Sequence, residues 1–407
     1  MNILYINHYA GSPEIGMEFR PYYLSREWVK NGNNVRIVCA SFSHLRRLNP
    51  PIKKDFECQI VDGIEYQWVK TCKYHGNGAK RVLSIYQFVS KLKKHAKKIV
   101  KEFKPDVVIA SSTYPFDAYA GKKIAKLSNA KFIFEGHDLW PLTLIEIGGM
   151  SENHPFIRKM KKAETFAYQQ SDVVVSLLPY SYEHMLECGL QDIAKFHHIS
   201  NGIVVEDWDN PESLPSEHEL LLTKLHNEKK FIVMFTGGHA VSNMLDTLLD
   251  CASLTKDENI AYVLIGSGVE KERLLSRKNH EKLDNVFFLP PIIKKAIPNA
   301  LSYADALYIG GDAPLYRFGV SMNKVYDYMM ADKPIIYGVT SKNNEVKDAN
   351  AGVCFDFKVL NSLRDAIYVL KNSSEQERKR LGDNGKEWVI AHCDYRILAD
   401  RFLSLMK

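Results

Sequence analysis

The chain has 407 residues, 45% of them hydrophobic and 25% charged, with a net charge of +6. That is an ordinary globular composition, large enough for about two or three domains. Apolar runs such as DVVVSLLP and KPIIYG are strand-length, short of the roughly 18–20 residues of a membrane span. The mild positive excess has no aromatic platform or reading motif beside it, which argues against nucleic-acid binding.

The N-terminal MNILYINHY reads as a β-strand that begins at once, with no secretion leader. NILYIN and NVRIVCA enclose the amphipathic FRPYYLSREWVKNG, whose closing NG is a helix stop. VSKLKKHAKKIVKEFK, residues 89–104, is a basic helix with one apolar stripe of Val89, Leu92, Ala96, Ile99 and Phe103. Its lysines Lys91, Lys94, Lys98 and Lys101 form either a solvated face or a surface drawn to an anionic membrane. DVVIAS, AKFIFEG and DVVVSLL follow as further strands. HISNGIVVEDWDNPESLPSEHE is the linker, and FIVMFTGG, IAYVLIGSG, NVFFLPP, ADALYIG, KPIIYGV and AGVCFDF make a second strand series before a helical C-terminus. Alternating helices with nearly all-apolar strands predict parallel sheets covered on both faces. The expected architecture is therefore two doubly wound α/β domains, residues 1–205 with about 388–407, and residues 206–387. Ligands would bind at the carboxyl ends of the strands, in a cleft between them.

Seven cysteines are scattered without any CxxC. They read as mostly buried, reduced thiols of a cytosolic protein, with no zinc or disulfide framework. DWD at Asp207–Asp209 matches a metal-binding DxD by letters. It sits in the linker, where a solvated loop is much the better explanation, and no required metal is expected.

The chemistry-bearing stretch is RFGVSMNKVYDYMMADKPIIYG, residues 317–338. Gly319 allows a tight turn. Ser321 and Asn323 are plausible caps for the helix that follows. A helix start with free N–H groups and partial positive charge suits phosphate, and Arg317 and Lys324 would add cations. Asp327, in the early turns, could accept hydrogen bonds from a ribose diol. A capped helix with a dipole-matching aspartate explains the same letters.

That stretch resembles the C-terminal signature of glycosyltransferase family four, whose members are retaining, GT-B-fold, nucleotide-sugar-dependent enzymes. The resemblance covers the whole chain. INHYAGSPEIGMEFRPYYLSREWVKNGNNVRIVCASFSH, DLWPLTLIEIGGM, NGI and PLYRFGVSMNK are similar to bacterial O-antigen and capsule transferases of the N-acetyl-L-fucosamine type. The resemblance implies that Asp327, where the family has Glu, binds the donor ribose, with Phe318, Gly319, Val320, Ser321, Asn323 and Lys324 around the nucleotide. The family's upstream acid falls at Gly319 and is absent. Its Arg and Lys on the diphosphate fall at Gly238 and Asn243, beside Gly237, so Arg317 or Lys324 would have to substitute. Gly266 and Gly268 would lie near the base and phosphate. The loop carrying Gly11 and Gly16 would face donor phosphates and acceptor, with Arg20 able to meet an anionic acceptor. His137, after the strand FIFEG, would hydrogen-bond the donor sugar, while Asp138 could set its tautomer or contact a hydroxyl.

The resulting expectation is a cytoplasmic enzyme, peripheral at the inner membrane face. It would move a sugar from a UDP-sugar to a polyprenyl-diphosphate-linked saccharide, with no metal or other cofactor. Its catalytic groups would be His137, Asp138 and Arg317. Two rivals stand beside it: a nucleotide-sugar epimerase on the same fold, and a non-enzymatic two-domain hinge protein that binds a sugar or anion.

Overall fold

Uninterrupted apolar runs become central strands because both of their faces are covered. In the computed structural model, which describes residues 1–76 and 78–407, eight strands make the first sheet. They are β1 (Asn2–Ile6), β2 (Asn34–Ala40), β3 (Glu57–Val61), β4 (Ile64–Val69), β5 (Val107–Ala110), β6 (Lys131–Gly136), β7 (Val173–Ser176) and β8 (Phe196–His198), in the order β3-β4-β2-β1-β5-β6-β7-β8. The second sheet holds β9 (Phe231–Gly238), β10 (Ile260–Ser267), β11 (Val286–Leu289), β12 (Ala306–Gly311), β13 (Ile335–Val339) and β14 (Gly352–Cys354), in the order β11-β10-β9-β12-β13-β14. Every pairing is parallel except β3 with β4, a hairpin closed by Asp62 and Gly63, both at positive φ. That hairpin is an addition at the sheet edge to the strands read from sequence.

The chain separates into two compact units. The first holds residues 1–201, 318–320 and 395–407; the second holds 202–317 and 321–394. Within the first, the C-terminal helix Tyr395–Ser404 lies on the helix Arg20–Lys30. Trp28, fully buried, donates its indole N–H to the Ala399 carbonyl at 3.1 Å and meets the Phe402 ring at 5.2 Å. Within the second, Val263, Ile265, Leu307 and Ile309 of the sheet and Tyr328 and Met329 of the helix Asn323–Met330 share one apolar core.

The basic helix is longer than its sequence pattern, Ala79–Phe103. Val89, Leu92, Ala96 and Ile99 are buried as the stripe requires, while Phe103 is half-buried under the Arg36 guanidinium. Lys94, Lys98 and Lys101 are exposed, together with Lys93 and Lys97. Lys91 is instead tied to Asp55 at 2.8 Å. The cysteines depart from expectation: Cys39, Cys251 and Cys393 are buried, whereas Cys58 and Cys354 are exposed and Cys72 and Cys188 are intermediate. The exposed pair lies on the short edge strands β3 and β14, where one face lacks cover. Among the described residues no helix is long and apolar enough to cross a membrane.

Candidate functional site

In the second unit a glycine turn at the end of β9 meets a lysine from the helix Asn323–Met330. β9 runs into Gly237 and Gly238, and Gly237 has a φ of 140° that a side chain would strain. The Asn243 amide donates to the Gly238 carbonyl at 2.7 Å, which folds the loop back on itself. The Lys324 ammonium donates to the Asn243 Oδ1 and stands 4.8 Å over the Phe235 ring. The Tyr328 hydroxyl accepts the Thr236 N–H at 2.6 Å, so the helix Asn323–Met330 is pinned to the strand end. A Cβ placed at Gly237 would come no closer than 3.9 Å to Lys324, and one at Gly238 would meet only the Ser267 carbonyl at 4.0 Å. Both positions would give ordinary contacts rather than collisions, the nearest being Phe235 at 3.6 Å from Gly237. Burial lowers the Lys324 pKa to about 8, a cation in want of an anion.

The caps expected at Ser321 and Asn323 are not formed. Met322 is extended and sits at the cap position, so the helix begins at Asn323, and no side chain caps its first N–H groups. The Ser321 hydroxyl pairs with the Tyr326 hydroxyl at 3.1 Å instead, and Asn323 is exposed. The open helix start keeps its dipole and amides for a ligand. One turn on, Asp327 lies beside Asp207, Trp208, Lys294 and Pro298. Burial raises its pKa; Asp207 adds to that and Lys294 opposes it. Asp207 is thus half-buried in this pocket rather than in a solvated loop.

Gly266 and Gly268 serve a different purpose from ligand approach. A Cβ at Gly266 would fall 1.9 Å from the Gly237 carbonyl, and one at Gly268 would fall 2.3 Å from the His239 carbonyl. They make room for the loop itself. Arg317 is exposed, and its Nη1 donates to the Pro314 carbonyl at 2.6 Å. Lys324, not Arg317, is the cation that reaches the glycine loop. Phe318, Gly319 and Val320 group with the first unit, where the Tyr180 N–H donates to the Phe318 carbonyl at 3.0 Å. Gly319 takes the positive φ, 94°, that its turn was expected to need.

The sequence reading passed over His239. Its ring is fully buried between Phe235 and Phe288, and neither nitrogen has a hydrogen-bond partner. Burial pulls its pKa down to about 4, so the imidazole is neutral. Its place directly after the Gly-Gly turn was the only available signal.

The first unit carries its polar groups differently. Glu135, at the end of β6, accepts from Arg20 Nε at 2.9 Å, from the Ser111 hydroxyl at 2.6 Å and from the Tyr5 hydroxyl. Arg20 also donates to the Ser200 and Ile199 carbonyls, at 2.5 and 2.9 Å. Burial alone would raise the Glu135 pKa, but the Arg20 charge overrides it and holds the carboxyl well below the usual range. Arg20 is therefore a buried structural cation, closed to an acceptor. His137 Nε2 lies 2.8 Å from the Ser111 hydroxyl and 3.2 Å from Glu135. Glu135 and Ser111, not Asp138, hold that ring nitrogen. In the loop before Arg20, the Gly11 Cβ position would collide with the Gly16 carbonyl at 1.9 Å, and Ser12 pairs with Gly16. Gly11 lets the loop close on itself, and Gly16, at a φ of 104°, lets it lie against the Arg46–Arg47 backbone, where a Cβ would fall 2.7 Å from the Arg47 nitrogen.

Four loops and the start of the helix Ala79–Phe103 bring Tyr9, His44, Tyr74, Arg81 and Trp140 together, a cluster with no sequence motif. Arg81 stands 5.5 Å over Tyr9 and 5.4 Å over Trp140, and His44 Nδ1 meets the Tyr74 hydroxyl at 2.9 Å. Beside Arg81 and Trp140 opens a cavity of about 590 Å³, lined by Val82, Ile85, Leu144 and Phe156 among others.

The family model Glycosyltransferase Family 4 matches residues 16–207, and the model Glycosyl transferases group 1 matches residues 219–388. Together the two models match most of the chain, which is a glycosyltransferase of the family 4 type. Curated relatives of this family member are distant. It is 22% identical over 281 residues to a Pseudomonas aeruginosa protein named as the glycosyltransferase WbjE, covering 66% of this chain and 64% of that one. It is 22% identical over 218 residues to a protein of Escherichia coli K12 that bears the name of a colanic acid biosynthesis glycosyl transferase, WcaI, covering half of each. The matches thus span between half and two thirds of these relatives' lengths. Anabaena HepE (Alr3699), crystallised in complex with UDP, has the same fold: TM-score 0.66 at 13% identity, covering 99% of both chains. The two parallel-sheet domains are those of the GT-B fold.

Proposed function

We propose that this family 4 member is a retaining transferase. It moves a sugar, an N-acetylated deoxyhexosamine such as N-acetyl-L-fucosamine, from a UDP-sugar to a polyprenyl-diphosphate-linked glycan of a surface polysaccharide. The observation that carries the reading is the hydrogen-bonded arrangement of Lys324, Asn243 and the Gly237–Gly238 turn at an uncapped helix start, with Asp327 one turn further on. That spacing suits a nucleoside diphosphate, with phosphates at the cation and amides and the ribose at the carboxylate. UDP in the HepE crystals and the colanic acid name of one relative support the donor and the product class.

The diphosphate would leave with its charge met by Lys324, the helix amides and the glycine loop, with Arg317 adding charge from the surface. The acceptor hydroxyl would attack from the face the diphosphate leaves, so configuration is retained and no metal is needed. His137, held at Nε2, would offer Nδ1 to the donor sugar, and Asp138 would contact a hydroxyl. The apolar cavity beside Arg81 supports a lipid-linked acceptor. The exposed lysines of the helix Ala79–Phe103, with exposed Val82, Leu83 and Tyr86 at its start, support electrostatic docking on an anionic inner-membrane surface, worth about 1 kcal/mol per lysine.

The deciding experiment is thermal unfolding with UDP, GDP, ADP and CMP, for the wild type and Asp327→Ala. At 100 times its dissociation constant UDP should stabilise by about 2.7 kcal/mol, a shift of several degrees, lost in the variant. A shift with another nucleotide alone changes the donor. No shift with any nucleotide defeats the reading.

A further inference from the structure

In the first unit, three different metal-ligating groups converge. Glu164 lies on the helix Pro155–Gln170, and His184 lies on the helix Tyr182–Glu187, with Cys188 one turn later at its C-terminal end. His184 Nε2 is 2.8 Å from Glu164 Oε1 and 3.4 Å from Cys188 Sγ, and the three ligand atoms all lie within 4.8 Å of one another. Glu164 and His184 are buried. The Tyr168 hydroxyl donates to Glu164 Oε1 at 3.1 Å and so orients the carboxylate from behind. A cavity of about 500 Å³ opens onto all three side chains, with Thr165 and Lys161 on its wall.

We propose that Glu164, His184 and Cys188 form a zinc site with one open coordination position. Bonds of about 2.0–2.3 Å in a tetrahedron put ligand atoms roughly 3.3–3.7 Å apart. The nitrogen-to-sulfur edge already has that length, and the other edges need shifts of about an ångström or less. One thiolate, one imidazole and one carboxylate select zinc over magnesium or calcium, which take oxygen shells. A water from the cavity fills the fourth position. The thiol proton and the His184 Nε2 proton pass to solvent as sulfur and nitrogen bind, the imidazole staying neutral with its proton on Nδ1, and the carboxylate exchanges its contact with His184 for the metal.

The site bears on the fold rather than on sugar transfer. The His184 ring stands 5.9 Å from the Phe318 ring, and the Tyr180 N–H, just before the same helix, holds the Phe318 carbonyl. Zinc would fix the surface on which residues 318–320 rest. This is separate from the expectation that the transfer itself needs no metal.

The test uses the full chain, freed of metal by a chelator and titrated with Co²⁺ as a spectroscopic probe. One equivalent should produce the sulfur-to-cobalt charge-transfer band of a thiolate ligand. The band should vanish in Cys188→Ser and persist when the exposed thiols are removed in Cys58→Ser/Cys354→Ser. Absence of the band in the wild type, or its survival in Cys188→Ser, would overturn the site. X-ray absorption at the zinc edge of the loaded wild type needs no variant to fold. A shell with one sulfur among nitrogen and oxygen ligands upholds the proposal, and a shell without sulfur sinks it.

Discussion

The strand ends of the two units handle polar groups in opposite ways. In the first unit Arg20, Glu135, Ser111, Tyr5 and His137 satisfy one another, and Arg20 spends its remaining donors on two carbonyls. In the second, the helix start has no side-chain cap, Gly238 faces open space, and both nitrogens of His239 lack partners. A saturated network orients a side chain such as His137 but has no donors left for an anion. An under-satisfied one gains free energy when a ligand supplies the missing partner, because buried polar groups without partners are costly. The contrast assigns anion affinity to the second unit and orientation to the first.

The largest expected effect comes from breaking the saturated side. Arg20→Met leaves the Glu135 charge buried and alone, which should cost about 3–5 kcal/mol of stability, read by denaturant unfolding. UDP affinity of the folded variant should be unchanged. The same pair sets a pH window. The folded-state carboxyl of Glu135 is depressed, so its stabilisation is complete above the unfolded value of about 4.3 and fades as pH falls below it. A wild-type stability that Arg20→Met leaves untouched would mean the network is ornamental and the contrast false.

Next comes the under-satisfied side. Lys324→Ala should weaken UDP binding about 10- to 100-fold, the size of a hydrogen bond to a charged group, about 1.5–3 kcal/mol. Calorimetry checks it. The ammonium binds phosphate only when protonated. In the free protein its pKa is about 8, so wild-type affinity should be flat below that value and fall as pH rises through it. The variant should lose that dependence. A wild-type profile flat across pH 8 would remove Lys324 from the phosphates.

A third effect separates glycines that serve the loop from those that serve a ligand. Gly268→Ala drives a methyl into the His239 carbonyl, 2.3 Å away, and should destabilise by about 1–3 kcal/mol. Gly238→Ala meets open space and should leave the unfolding curve in place while weakening UDP binding. The reverse pattern would mean the ligand does not approach the Gly238 backbone.

The parallel sheets were legible because apolar runs such as VVVS and ALYIGG have no polar face to expose, and only a doubly covered sheet buries them. The hairpin at Asp62–Gly63 carried a local signal of its own that the strand series passed over, since Asp-Gly between two alternating runs is a hairpin turn. The helix at Lys324 and Asp327 could be placed from its letters. Its caps could not, because Ser321 and Asn323 have the right chemistry while the backbone of Met322 decides where the helix begins. Arg20 shows the deeper limit. As the first helical residue after a glycine loop it reads as exposed, and its partners Glu135, Ile199 and Ser200 lie 115 to 180 positions away. No local pattern carries contacts at that range, and the cluster of Tyr9, His44, Tyr74, Arg81 and Trp140 was invisible for the same reason.

The smallest expected effect is also the sharpest test of which cation matters. Arg317 and Lys324 were interchangeable in the sequence as substitutes for the family's missing diphosphate clamp. The structure gives them different surroundings: Arg317 is exposed and turned onto the Pro314 carbonyl, while Lys324 is lodged between Phe235 and Asn243. An exposed charge is screened by water and salt and contributes at most about 1 kcal/mol, so Arg317→Ala should weaken UDP binding by no more than about fivefold, and less at high salt. The Lys324→Ala loss should persist at high salt, because a lodged cation is shielded from ions. If Arg317→Ala instead matches the Lys324 variant and resists salt, the arginine closes over the diphosphate when UDP is bound, and the second unit's under-satisfied groups include one that the unliganded arrangement holds in reserve.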